Sequence, residues 1–235
     1  MKIFAIDCSA VSASAAIIDG EKILSYSYTN VGLTHSQTLV PMMNTTLQNA
    51  HINLQDIDCF SINAGPGSFT GVRIGISALK GLTAFTDNNC VPVSTLESMA
   101  YNYAGVRDCI VCSVMDARCN QVYTACFEIS GNTVKRLTED SAILISELEQ
   151  QLANYDKDII FVGDGANLCY NTLKDNIPNC FLASAGLMYQ NAVGTAFCAK
   201  NYLDNGFNPV SSENILPVYL RVPQAERELM KKSKK

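Results

Sequence analysis

Two aspartates in this chain each close a short apolar run. Asp7 ends the stretch from Lys2 to Ile6, and Asp116 ends the one from Cys109 to Met115. A carboxylate at the carboxyl end of a core strand can hold magnesium or activate a nucleophile. A third feature is Gly65-Pro66-Gly67-Ser68, which follows the apolar run Cys59 to Ile62 and leads into a helix-like stretch reaching about Phe85. Strand, glycine turn and helix start leave backbone N–H groups pointing outward, as a phosphate cradle requires. Asp7, Ser9, Gly65, Gly67, Ser68 and Asp116 thus outline a residual nucleotide pocket. A second reading competes with it. Aspartates commonly cap their own turns, and glycines let a helix pack close to a neighbour. Pro66 also removes one donor from the cradle, and Phe69 is bulky at its mouth.

Other chemistries find less material. His35 opens a helix, but the residue one turn later is Leu39, so no second imidazole completes a metal pair, and His51 lies in a turn. A single histidine makes a poor metal site. Cys109 and Cys112 have C-x-x-C spacing inside a strand pattern, with no second pair nearby. The chain has no G-x-x-x-x-G-K-[ST] loop, no G-x-S-x-G elbow and no H-E-x-x-H. No metal site and no catalytic residue is predicted.

The elements that position these groups come twice. Lys2 to Asp7, Ala13 to Ile18 and Ile23 to Tyr28 read as a three-stranded meander, with a hairpin signal at Asp19-Gly20. Cys109 to Asp116, Val122 to Ile129 and Thr133 to Leu137 repeat the pattern. Asp58 to Gly67 is echoed by Ile159 to Gly165, each a strand running into a glycine turn. The chain therefore reads as α/β with two lobes of similar topology around one cleft. The lobes span residues 1–104 and 105–222, and a basic tail covers 223–235.

Two helices of the first lobe stand out. Thr34 and Gln37 have capping-box spacing. The helix they open carries Leu39, Met42, Met43 and Leu47, and Pro41, past the first turn, is expected to give a kink or an early wide turn. The second helix shows Phe69, Val72, Ile76, Leu79 and Leu82 on one stripe, interrupted by Gly71, Gly75 and Gly81. Adaptable methionines and small residues suit a helix–helix interface. The predicted partner surface is His35, Leu39, Met42, Met43 and Leu47 with Phe69, Val72, Arg73, Ile76, Leu79 and Lys80. A charged residue at Ile76 or Leu79 is then expected to abolish pairing and leave the monomer folded.

Composition narrows the partners. Of 235 residues, 48% are hydrophobic and 17% charged, enough for a full core. A net charge of −5 opposes nucleic-acid binding by the chain as a whole, although Lys231, Lys232, Lys234 and Lys235 form a local cationic end. Asp7 breaks the first apolar run, so the N-terminus does not read as a signal peptide. No apolar run approaches the ~20 residues that cross a membrane. Scattered cysteines within strand-like runs fit a reducing cytoplasm.

The chain resembles a known family, the dimerisation subunit TsaB (YeaZ) of the bacterial machinery that makes threonylcarbamoyladenosine in tRNA. The resemblance rests on Ile6-Asp7-Cys8-Ser9, on His35-Ser36 with Leu39 and Pro41, and above all on the run from Gly65 to Gly75. Ala78 to Leu82, Ser94 to Glu97, Asp116-Ala117-Arg118 and Val218 to Arg221 also fit. It implies an actin-like (ASKHA, ribonuclease H-like) duplicated fold, related to sugar kinases and to the catalytic partner TsaD. It further implies a non-catalytic scaffold that binds TsaD through the two helices, is joined by an ATPase subunit, TsaE, and pairs with itself when alone. On this reading ATP and metal belong to the partner subunits, and tRNA is met only through the complex. The partner holds its metal with paired histidines; here His35 is followed by Leu39. The alternative is an actin-like ATP-dependent small-molecule kinase or nucleotide hydrolase using Asp7 and the turn at Gly65. A peptidase lacks support, since no metal pair and no nucleophile–base pair can be named.

Overall fold

A computed structural model describes residues 1–221 apart from Leu33, Phe85, Asp87 and Asn88, so the basic tail lies outside the described residues. The first half comprises β1 (Lys2–Asp7), β2 (Ala13–Asp19), β3 (Lys22–Thr29), α1 (His35–Ala50), β4 (Cys59–Gly65), α2 (Phe69–Thr83), β5 (Asn89–Ser94) and α3 (Thr95–Tyr101). The second comprises β6 (Cys109–Asp116), β7 (Gln121–Ser130), β8 (Thr133–Arg136), β9 (Ser141–Leu144), α4 (Ile145–Leu152), β10 (Ile159–Val162), α5 (Ala166–Leu173), β11 (Cys180–Leu182) and α6 (Ala192–Asp204).

One sheet runs β3-β2-β1-β4-β5 and the other β8-β7-β6-β10-β11, with β9 added beside β7. In both, a hairpin pair is antiparallel and the later strands are parallel. The reason is local. Gly20 and Gly131 adopt positive φ in tight turns, while parallel neighbours need a crossover, supplied by α1, α2, α4 and α5. The duplicated, actin-like architecture implied by the resemblance is what the chain adopts.

Period-two alternation divides the first sheet between two cores. Phe4, Ile6, Phe60 and Ile62 face α1 and α2. Ile3, Ala5, Ala16 and Ile18 face the opposite way, against Ala192, Ala196 and Ala199 of α6. The second lobe gathers Val111, Phe127, Ile159 and Phe161 with Leu96, Met99 and Ala100 of α3. A division at residue 104/105 therefore cuts between the sheets but not between the cores. The two halves exchange a helix each. An ionic cluster joins them: Arg136 pairs with Glu97 of α3 and with Asp140, both at 2.6 Å, and Tyr202 of α6 donates to Glu97 at 2.8 Å.

The last described segment returns to the first lobe. Val210 bridges to Cys90, Ile215 is buried in the α1/α2 core, and the Val218 N–H donates to Ala64 at 2.8 Å. One local expectation is corrected: Thr34 precedes α1 but its side chain caps nothing, and the turn closes from the Gln37 N–H to the Thr34 carbonyl. Pro41 lies within α1.

Candidate functional site

At the end of β1, Asp7 is fully buried. Its Oδ1 accepts from the Ser9 N–H at 3.1 Å, Ser9 Oγ at 2.6 Å and Asn63 Nδ2 at 2.8 Å, and Thr195 Oγ1 in turn donates to Asn63. Burial pushes the Asp7 carboxyl up, and the hydrogen bonds from Ser9 and Asn63 offset this in part. Asp7 therefore ties its own turn to β4 and α6. Its Oδ2, His35 Nδ1 and the Gln190 side chain have no hydrogen-bond partner among the described residues.

The glycine turn is occupied by the same β1–β2 loop. The Ser68 N–H donates to the Ser9 carbonyl at 2.6 Å, and Ser68 Oγ accepts from the Gly71 N–H at 3.2 Å. Two donors that a phosphate would need are thus already engaged. A Cβ at Gly67 would collide with the Ser9 carbonyl, and one at Gly71 with the Cys8 carbonyl. These glycines serve close backbone packing.

Between the lobes lies a cleft of about 470 Å³, lined by Gly67, Ser68, Asp116, Arg118, Asp164 and Arg221 among others. Of the six residues expected in a nucleotide pocket, Gly67, Ser68 and Asp116 line it; Asp7, Ser9 and Gly65 are sealed beneath. Asp116 is occupied by its neighbour, accepting from the Arg118 N–H at 2.7 Å and pairing with the Arg118 guanidinium at 3.0 Å. Asp164, which the sequence reading did not select, accepts from the Asp116 N–H at 3.3 Å. Burial pushes its carboxyl up to about 6, and the Asp116 charge adds to this. Its signal was present in Gly163-Asp164-Gly165, the counterpart of the first glycine turn. Arg221 crosses the cleft to the Ala117 carbonyl.

This set does not fit a catalytic metal. His35 Nε2 donates to the Ala10 carbonyl at 2.6 Å, Leu39 offers no donor atom, and no group of three metal-ligating side chains occurs among the described residues.

The helix surface needs the largest correction. Leu39, Met43, Val72, Ile76 and Leu79 are at most 5% exposed and pack on the first sheet, while Met42 and Leu47 lie half-buried against the same core. Gly75 faces inward too, where a Cβ would meet Cys8 and Ile62. The periodic stripe is the face that covers the sheet. A charged residue at Ile76 or Leu79 would therefore unfold the lobe. Outside, an open groove between α1 and α2 is lined by Val40, Phe69, Thr70, Arg73, Ile74 and Ala78. Phe69 stacks on Tyr219 with centroids 4.9 Å apart, and Lys80 donates to the Glu213 carbonyl at 3.0 Å. No helix among the described residues is long and apolar enough to cross a membrane.

A protein-family model described as "TsaD: tRNA N6-adenosine threonylcarbamoyltransferase" matches residues 29–229. The chain is 26% identical over 235 residues to the tRNA threonylcarbamoyladenosine biosynthesis protein TsaB of Bacillus subtilis, covering all of both chains. It is 31% identical over 196 residues to TsaB of Buchnera aphidicola subsp. Schizaphis graminum, covering 76% of this chain and 92% of that one. Among solved structures, YeaZ from Pseudomonas aeruginosa superposes with a TM-score of 0.80 at 26% identity, covering 93% of this chain and 99% of that one.

Proposed function

The chain belongs to the family of tRNA N6-adenosine threonylcarbamoyltransferases and their TsaB (YeaZ) relatives, and from that premise we propose that it is a non-catalytic scaffold within that machinery. In this role it binds and stabilises the related catalytic transferase chain while the adenosine beside the tRNA anticodon is modified. An ATPase subunit (TsaE) joins the assembly, ATP and metal reside on the partners, and tRNA is met through the complex. In their absence the chain pairs with itself, and it works in the cytoplasm.

One observation carries the scaffold reading. The groups that an actin-like phosphotransferase would use are already spent: Asp7 is sealed, the Ser68 N–H is bonded to Ser9, and Asp116 is paired with Arg118. The α1/α2 groove, by contrast, is open and mostly apolar. A face of this kind is what a partner helix covers.

Co-expression of the tagged chain with the untagged transferase chain tests the role. Stoichiometric co-purification is expected; a chain that always purifies alone overturns it. Calorimetry of the isolated chain with ATP and magnesium separates the kinase alternative. No binding heat and no turnover are expected, and micromolar binding with turnover would replace the scaffold by an enzyme.

A further inference from the structure

Arg73 is the only charged side chain among the described residues lining the α1/α2 groove. It is held in place before any partner arrives. Its guanidinium lies 4.0 Å over the Phe69 ring, and its Nε donates to the Tyr219 hydroxyl at 2.8 Å. Its two Nη groups have no partner among the described residues, and the residue is exposed. A flat guanidinium fixed by stacking, with both Nη groups unspent, is prepared for two parallel hydrogen bonds to a carboxylate.

The surrounding sequence decides who supplies that carboxylate. Neither α1 nor α2 contains an aspartate or glutamate. A second copy presenting the same face would bring Arg73 no acid, and would set like charge against like. Removing a fixed guanidinium from water without a counter-ion is costly. Self-pairing through this groove therefore carries a penalty that an acidic partner escapes.

We infer that Arg73, braced by Phe69 and Tyr219, is a receptor for one aspartate or glutamate on an otherwise apolar helical face of the transferase chain, and that this pair favours mixed assembly over self-pairing. The inference rests on the scaffold role proposed above. Val40, Ile74 and Ala78 supply the apolar floor on which such a helix lies.

The test is affinity for the full-length transferase chain, by calorimetry, beside self-association by sedimentation. Arg73→Ala should weaken the mixed complex about 30-fold or more, and Arg73→Lys about 10-fold because the fork is lost while the charge remains. Tyr219→Phe, which keeps the ring and loses one bond, should cost about 3-fold. Self-association should be unchanged or tightened by Arg73→Ala. Raising the salt should weaken the mixed complex more than the self-pair. Circular dichroism should show each variant folded, since Arg73 is exposed.

Two results would overturn the inference: unchanged mixed affinity for Arg73→Ala, or equal loss in mixed and self-pairing. If Arg73→Ala binds normally while Val40→Asp, at an exposed groove position, abolishes binding, the groove stands as a docking face but the carboxylate receptor falls. If neither variant affects an intact mixed complex, the partner lies elsewhere, and both the receptor and the proposed surface fail.

Discussion

Asp164 shows how burial, reinforced by a neighbouring carboxylate, moves a carboxyl. Its folded pKa of about 6 lies above the ordinary 3.8, so the folded chain holds this proton more tightly than the unfolded one. The resulting stability is complete below about pH 4 and is lost as pH rises through about 6. Asp164→Asn keeps an acceptor for the Asp116 N–H and removes the buried charge. It should stabilise the protein by on the order of 2 to 3 kcal/mol at pH 8 and leave stability unchanged near pH 4, as measured by urea denaturation at both values. The positions of Asp7 and Asp116 were legible because each ends an apolar run. The different fates of their carboxyls were not. Asp7 is closed off by Ser9 and Asn63, with Thr195 behind, and no local pattern announces a contact that spans 132 positions.

Within the elements, α1 and α2 show what periodicity reports. The spacing of Leu39, Met43, Val72, Ile76 and Leu79 located both helices and their apolar sides. It did not say whether the apolar side meets a sheet or a partner, since both demand the same spacing. The sheet won because β1 and β4 offer a continuous apolar face, Phe4, Ile6, Phe60 and Ile62, directly beneath. Of the apolar residues along the groove, Val40 is exposed while Ile74 and Ala78 are half-buried against the core, and together they form no run long enough to stand out. Leu79→Glu should therefore unfold the chain, at a cost of about 4 kcal/mol or more, whereas Val40→Asp, at an exposed position of the groove, should retain a native circular dichroism spectrum and lose pairing. Sedimentation and thermal melts on the two variants distinguish the faces directly.

At the scale of the molecule, duplication was readable from the repeated meanders, but the exchange of α3 and α6 was not, because helix destination depends on packing far from each segment. The Arg136 cluster holds that exchange together. Glu97, Arg136 and Asp140 are each less than a quarter exposed at the side chain, so removing the cation leaves two carboxylates without their counter-charge. Arg136→Met should cost about 3 kcal/mol, and adding Glu97→Gln should recover part of it, both read from melting temperature.

The helix exchange also sets the order in which the protein becomes whole. One face of the first sheet, complete in sequence by Ser94, has Ala192–Asp204 as its cover. A ribosome must add roughly a hundred further residues before that cover exists, so the nascent chain carries a bare apolar face through almost half of its synthesis. Each half lacks one helix of its own cover, and a premature stop anywhere before α6 yields a polypeptide whose first sheet lacks the α6 cover on one face.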